Sequence, residues 1–330
     1  MAKKSTMNIV MAIVVSTGLL CSPLSSIYAT SSNAGTTNGS FLDIATDARG
    51  VALGDASISM ARGADALRWN PALLGLLENK DFSGTHVQYY QGVTMENVAV
   101  AYPFENAGLA ASAFYLSAGD LDGRDTSGNP TGDFKFYDLV GTLGYGRRLM
   151  NRAEGSLVDF SVGGSIKLVE EKIADQSFQN PALDLGALMS PLDNLKFALS
   201  VRDLSSGSAD FSREIIGGAS YVPYKNFTTG FAITDSNDAP VRYSVSGEYV
   251  FPEAYNAAIR AGYQSHDSLD DSTDSQITAL RSAGLAGLTM GAGLDLPIPT
   301  LQTTKIGIDY AMVPFGALGI AHTITLRTRW

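Results

Sequence analysis

Three histidines, one cysteine and a run of spaced aspartates are the residues most able to do chemistry here, and they are not grouped as catalysis requires. His86, His266 and His322 stand far apart, with no close-set Ser/His/Asp arrangement to activate a nucleophile. His266–Ser275, "HDSLDDSTDS", places Asp267, Asp270, Asp271 and Asp274 at a spacing that oxygen ligands of Ca²⁺ could use. It lacks the glycine and the closing glutamate of a calcium loop and reads as a solvated acidic loop. Gly284–Leu296 is glycine-rich without a phosphate-binding pattern, and reads as a strand with close backbone packing. These residues predict no enzyme, no bound metal and no cofactor.

The informative charges lie on alternating segments. In "VRYSVSGEYVF", Val241, Tyr243, Val245, Tyr249 and Phe251 share one face, and Arg242, Ser244, Ser246 and Glu248 share the other. Leu195–Arg202 sets Leu195, Phe197, Leu199 and Val201 against Lys196, Ser200 and Arg202. Leu157–Leu168 and Tyr255–Gln264 repeat the pattern, with Asp159, Lys167 and Arg260 on their polar faces. A period of two with one greasy and one charged face specifies strands. Counting between turns predicts about fourteen of them, from roughly 83–92 to 320–330, an even number as in outer-membrane barrels. Short turns such as 190–194 and 251–255 alternate with mostly longer polar loops such as 118–133, 170–179 and 265–276. A soluble sandwich is the rival, but many segments run to ten residues or more, which suits a tilted bilayer crossing better than a sandwich strand. Aromatics near strand ends (Phe104, Tyr224, Phe227, Phe251, Tyr255) suit an interfacial girdle. The fold class expected is all-β: a transmembrane antiparallel barrel.

The chain of 330 residues has only 17% charged residues and a net charge of −10. Residues 1–29 read as a secretory signal, with Lys3 and Lys4 before the apolar Ile9–Cys21 and cleavage after Ala29. Leu20 is bulkier than a lipid-modified Cys21 would usually follow. Cleavage would remove the only cysteine and leave 21 basic against 33 acidic residues, which argues against a nucleic-acid partner.

A ring of this size is too wide for its own side chains to close. Residues 30–81 supply a filling: a polar lead, then the Ala/Gly-rich Phe41–Asn79, before the barrel of 82–330. Asn70 can cap a short helix that Pro71 opens, and that helix needs a wall to pack on. The segment is expected to fold into the lumen as a partly helical hatch. A helix packed beneath the barrel is the alternative. Arg49, Asp55, Arg62, Asp65 and Arg68 would pair with a lumen set that includes Asp159, Lys167, Asp184, Lys196, Arg202, Arg242, Glu248, Arg260, Asp295, Lys305, Asp309, Arg327 and Arg329. Both signs occur, as in paired interior charges rather than an ion filter.

"FLDIATDARGVALGDASISMARGADALRWNPALLG" resembles the N-terminal signature of the PorV/PorQ family, relatives of the FadL type of outer-membrane barrel. The resemblance rests on Ala48-Arg49, Gly54, Asp65-Ala66, Trp69 and Asn70-Pro71-Ala72, and on a last hairpin with Pro314-Phe315-Gly316. Leu73 replaces the glycine that usually follows Asn-Pro-Ala, and glycine is delayed to Gly75. The resemblance implies a fourteen-stranded outer-membrane barrel with its hatch inside and both termini periplasmic. It leaves two functions open: passage of a hydrophobic ligand, with Leu67, Trp69, Leu73 and Leu74 as ligand contacts or simply hatch core, or a secretion-system component that docks protein partners. A purely structural protein held by outer-membrane lipid is a third.

Overall fold

The computed structural model describes residues 39–89, 92–174, 176–205, 211–253, 255–265, 287–298, 304–315 and 319–330. The expected signal segment, most of the polar lead, the acidic run His266–Ser275 and Gly316 lie outside the described residues.

Fourteen strands follow one another around a closed ring. They are β1 (Asp81–Gln88), β2 (Thr94–Phe104), β3 (Ala107–Arg124), β4 (Pro130–Met150), β5 (Asp159–Ile173), β6 (Gln176–Leu192) and β7 (Leu195–Ser205). The other half comprises β8 (Glu214–Tyr224), β9 (Phe227–Ser236), β10 (Arg242–Phe251), β11 (Ala257–Gln264), β12 (Leu288–Pro297), β13 (Lys305–Pro314) and β14 (Ile320–Arg329). Each pairs antiparallel with its sequence neighbours, and β1 closes on β14 from Asp81↔Arg329 to Gln88↔His322. Beyond the ladder, Trp330 and Lys80 exchange both backbone hydrogen bonds at 3.1 Å. Closure leaves no edge strand exposed.

The alternation sorts side chains as the sequence predicts, with polarity inverted relative to a soluble protein. Leu168 and Leu185 are 71% and 56% exposed, whereas their neighbours Lys167 and Asp184 are 4% and 1% exposed. Such a surface is at home only in an apolar medium, because the exposed leucines cost free energy in water and the buried charges need partners. Tyr102–Phe104 and Tyr249–Phe251 ring pairs, with centroids 5.2 and 4.7 Å apart, border the apolar belt at the short-turn end.

The strands of the first half are longer than expected. β3 and β4 run through most of 118–133, and β5 and β6 through most of 170–179, both read from sequence as loops. These stretches are polar on both faces, so they lack the apolar alternation that marks a strand, yet their backbones still pair, as at Asp122↔Asp133. Asp125 closes the β3–β4 hairpin: its Oδ1 accepts from the amides of Ser127 and Asn129, both at 2.8 Å.

Residues 39–80 fold inside the ring. A 3₁₀ turn (Ser40–Asp43) leads to helix α1 (Ala48–Ala52), a second 3₁₀ turn (Gly63–Asp65), helix α2 (Ala66–Trp69) and a third 3₁₀ segment (Pro71–Leu76). Asn70 caps this last segment as expected, its Oδ1 accepting from Ala72 at 3.0 Å. The tighter 3₁₀ form fits a chain wedged against β-sheet: Gly75 has the Arg147 backbone 2.7 Å from where a Cβ would sit.

Candidate functional site: the hatch and the cleft above it

The hatch is fastened first by backbone polarity. The Ala48 amide, at the start of α1, donates to Thr325 Oγ1 at 2.8 Å, and Thr289 Oγ1 donates to the Ala52 carbonyl at 3.1 Å. These two wall hydroxyls satisfy groups that so short a helix leaves free at its ends. Asp47 caps α1 by accepting from Gly50 at 2.6 Å, and its other oxygen accepts from Trp69 Nε1 at 2.6 Å. One carboxylate thus ties the two helices together. Burial raises the Asp47 pKa, opposed by those two hydrogen bonds. Gly50 is required here, because a Cβ would lie 2.2 Å from the Trp69 ring.

Buried ion pairs line the lumen in two groups, and the first reaches the hatch directly through Arg49. In the first, Arg49 donates to both oxygens of Glu248 at 2.8 Å, and Arg260 bridges Glu248 and Asp309 at 2.6 Å each. Arg327 continues to Asp309 at 2.5 Å and Asp295 at 3.4 Å. In the second, Lys167 lies 2.9 and 2.6 Å from Asp184 and Asp203, while Glu214 receives Arg202 and Arg242. Arg202 also reaches the hatch, donating to the Arg68 carbonyl at 3.3 Å. Paired this way, buried charges avoid the penalty of isolation.

Nine of the thirteen lumen charges named from sequence therefore join these networks, and Arg329 pairs with Asp81 at 3.2 Å. Asp159 sits at the short-turn end with Arg148, and Lys196 points inward without an ion pair among the described residues. Of the hatch motif, Ala48, Arg49, Asp65, Ala66, Trp69, Asn70, Pro71 and Ala72 are buried; Asp65 accepts from Ser83 at 2.6 Å, and Gly54 takes φ +57 beside the Tyr263 backbone. Burial, with Asp47 adding repulsion, holds Asp65 well above the usual carboxylate range.

Trp69, Leu73 and Leu74 pack into a core with Ile58, Leu188 and wall alanines. Leu67 is different, because it also lines a cleft between hatch and wall. Phe41, Leu42 and Ile44 of the hatch and Phe114 and Val140 of the wall supply its apolar lining, and Asp65, Arg68 and Lys167 are the charged residues among its polar groups. Next to it, Val87, Met95, Phe114, Leu116, Val140 and Val169 form an apolar cluster facing the interior. Alternation in the sequence does not mark this apolar stretch of the lumen. "FYL" at 114–116 is apolar on both faces, so period two carries no signal for which residue points inward.

No protein-family model and no curated protein sequence matches the chain. Solved structures do. A FadL homologue of Pseudomonas aeruginosa is similar over 86% of this chain and 98% of its own, at TM-score 0.52 and 11% identity. The toluene transporter TodX of Pseudomonas putida matches over 86% and 96%, at TM-score 0.56 and 10% identity. The toluene transporter TbuX of Ralstonia pickettii matches over 86% and 97%, at TM-score 0.55 and 10% identity. The fold is therefore the FadL-like barrel.

Proposed function

We propose that the protein lies in an outer membrane, with its short turns facing the periplasm, and mediates passive passage of hydrophobic small molecules. The observation that carries this reading is the apolar cleft between hatch and wall. Leu67, Phe41, Phe114 and Val140 provide the concave, mostly apolar lining that suits a small greasy ligand. The interior charges are not a permeation filter in this reading; they seat the hatch, which must shift for a ligand to move on. The similarity to two barrels described as toluene transporters is consistent with this use of the fold.

The test is native mass spectrometry of protein extracted gently from its membrane, with wild type and Leu67→Asp compared. A hydrophobe retained by the wild type and lost from the variant is the expected result. An empty cleft accompanied by a stoichiometric protein partner would instead support the PorV-type secretion role and overturn the transport reading.

A further inference from the structure

At the short-turn end a second cavity opens beneath the hatch. Its lining is the chemical opposite of the cleft. Arg49 and Arg62 enter from the hatch, Arg260 from β11, Lys305 from β13, and Arg327 and Arg329 from β14. Glu248 and Asp295 are the carboxylates of the lining. Asp309 and Asp81 stand behind, paired to Arg260 and Arg327 and to Arg329 respectively. Six cations against four carboxylates leave a surplus of two positive charges.

That surplus has identifiable donors. Lys305 has no ion pair among the described residues. Arg62 is 54% exposed and reaches Glu248 only at 3.4 Å, while that carboxylate is already occupied by Arg49 and Arg260. Arg327 is paired with Asp309 and Asp295, but its buried Nε has no hydrogen-bond partner and is a donor left over for a ligand. Crowding by the Arg49 guanidinium pushes the Arg62 pKa down to about 10, as expected where positive charge is undercompensated.

We propose that this cavity binds a dianionic oxyanion of the phosphate class, held between Arg62 of the hatch and Lys305 and Arg327 of the wall. A dianion matches the surplus charge, whereas a monocarboxylate would leave one cation unpaired. Tetrahedral oxygens also present several acceptors to donors arriving from different elements, which suits guanidinium forks. Because Arg62 belongs to the hatch and the other two to the wall, the bound anion fastens one to the other, and by linkage it favours the seated hatch.

Calorimetric titration of the full chain in detergent with inorganic phosphate, at pH 8 and constant ionic strength, tests the site. Saturable binding near one equivalent is expected, weakened about tenfold in Lys305→Gln and again in Arg62→Gln, the loss of one charge-assisted contact each. Both side chains are exposed enough for the variants to fold, which retained heat-modifiable migration on gels would verify. No saturable heat, equal binding in wild type and variants, or an equal response to chloride would overturn the proposal. A competition arm with phosphatidic acid in nanodiscs identifies the source. Displacement of phosphate extends the site to a lipid headgroup, and no displacement assigns it to a soluble anion, and both support the site.

Discussion

Arg49 of the hatch and Glu248 of the wall, 199 residues apart in sequence, meet through two parallel hydrogen bonds of 2.8 Å. The Arg49 fork has a further donor, and it goes to the Met60 carbonyl at 2.8 Å, so the same side chain also fixes the following hatch loop. Glu248 is in turn held by Arg260, which leads to Asp309 and Arg327. The hatch is therefore locked to the wall through one end of a relay of alternating charge.

Replacing Glu248 by Gln should loosen the hatch more than the barrel. The change leaves Arg49 and Arg260 buried without their common anion, and breaking a buried pair in this way costs about 3–5 kcal/mol. Hydrogen exchange across 48–76 should accelerate while peptides from β3 to β6 keep their protection. Unchanged protection of the hatch would mean that apolar packing, not this carboxylate, holds it.

Glycines on the inward face of the wall set how closely the hatch can approach. A Cβ at Gly163 would lie 2.4 Å from the Pro71 backbone, whereas one at Gly141, on the outer face of β4, would meet nothing within 4 Å. Gly163→Ala should therefore cost about 1–3 kcal/mol by overpacking and displace Pro71–Leu76, with Gly141→Ala close to neutral. Thermal melting of the two variants side by side reads the difference. Equal melting temperatures would show that the wall yields at β5.

How much of this was legible in the sequence depends on what each residue faces. Leu183, Asp184 and Leu185 announce a strand with lipid on one side and an ion pair on the other, and the chain obeys. Asp122 and Asp133 announce nothing, because with water on both sides period two has no contrast to display. The hatch was legible as a segment, through its composition and the Asn70-Pro71 start, since capping is local. Its fastening was not: Glu248 could be read as inward-facing, but which of the three hatch arginines it would receive depends on barrel closure. Asp47 was overlooked, although an aspartate three residues before Gly50 is a local cap signal that pattern reading can use.

The hatch should seat less firmly as pH rises. Burial raises the Asp43 pKa from 3.8 to about 7, with Glu214 adding repulsion that Arg242 and Arg202 only partly offset. Asp55 rises to about 6 for the same main reason. A raised carboxyl pKa means that the seated form binds protons more tightly than the released form. The contribution is thus fully present below pH 3.8 and declines until pH passes about 7. Fluorescence of Trp69 in a Trp330→Phe background reports the seating, and Asp43→Asn should flatten the upper part of the profile. A wild-type signal constant from pH 4 to 8, ~4 units spanning both carboxyls, would remove these groups from hatch energetics.

Asn70 separates two accounts of the hatch turn. Its Oδ1 caps Pro71–Leu76, while its Nδ2 donates to the Ala187 carbonyl of β6 at 3.1 Å. Gly186 makes room for it, since a Cβ there would sit 2.0 Å from Oδ1. If capping were the whole role, aspartate would replace asparagine almost freely and alanine would cost about 1 kcal/mol. The wall contact reverses that order. Asn70→Asp puts an acceptor against the Ala187 carbonyl and a charge in a site that is 0% exposed, so at neutral pH it should destabilise the hatch more than Asn70→Ala. Acidification should rescue the aspartate variant alone, because its protonated carboxyl regains a donor. Hydrogen exchange of 66–76 at two pH values, corrected for the intrinsic rate, gives the ranking directly. Aspartate outperforming alanine at neutral pH would reduce Asn70 to a cap.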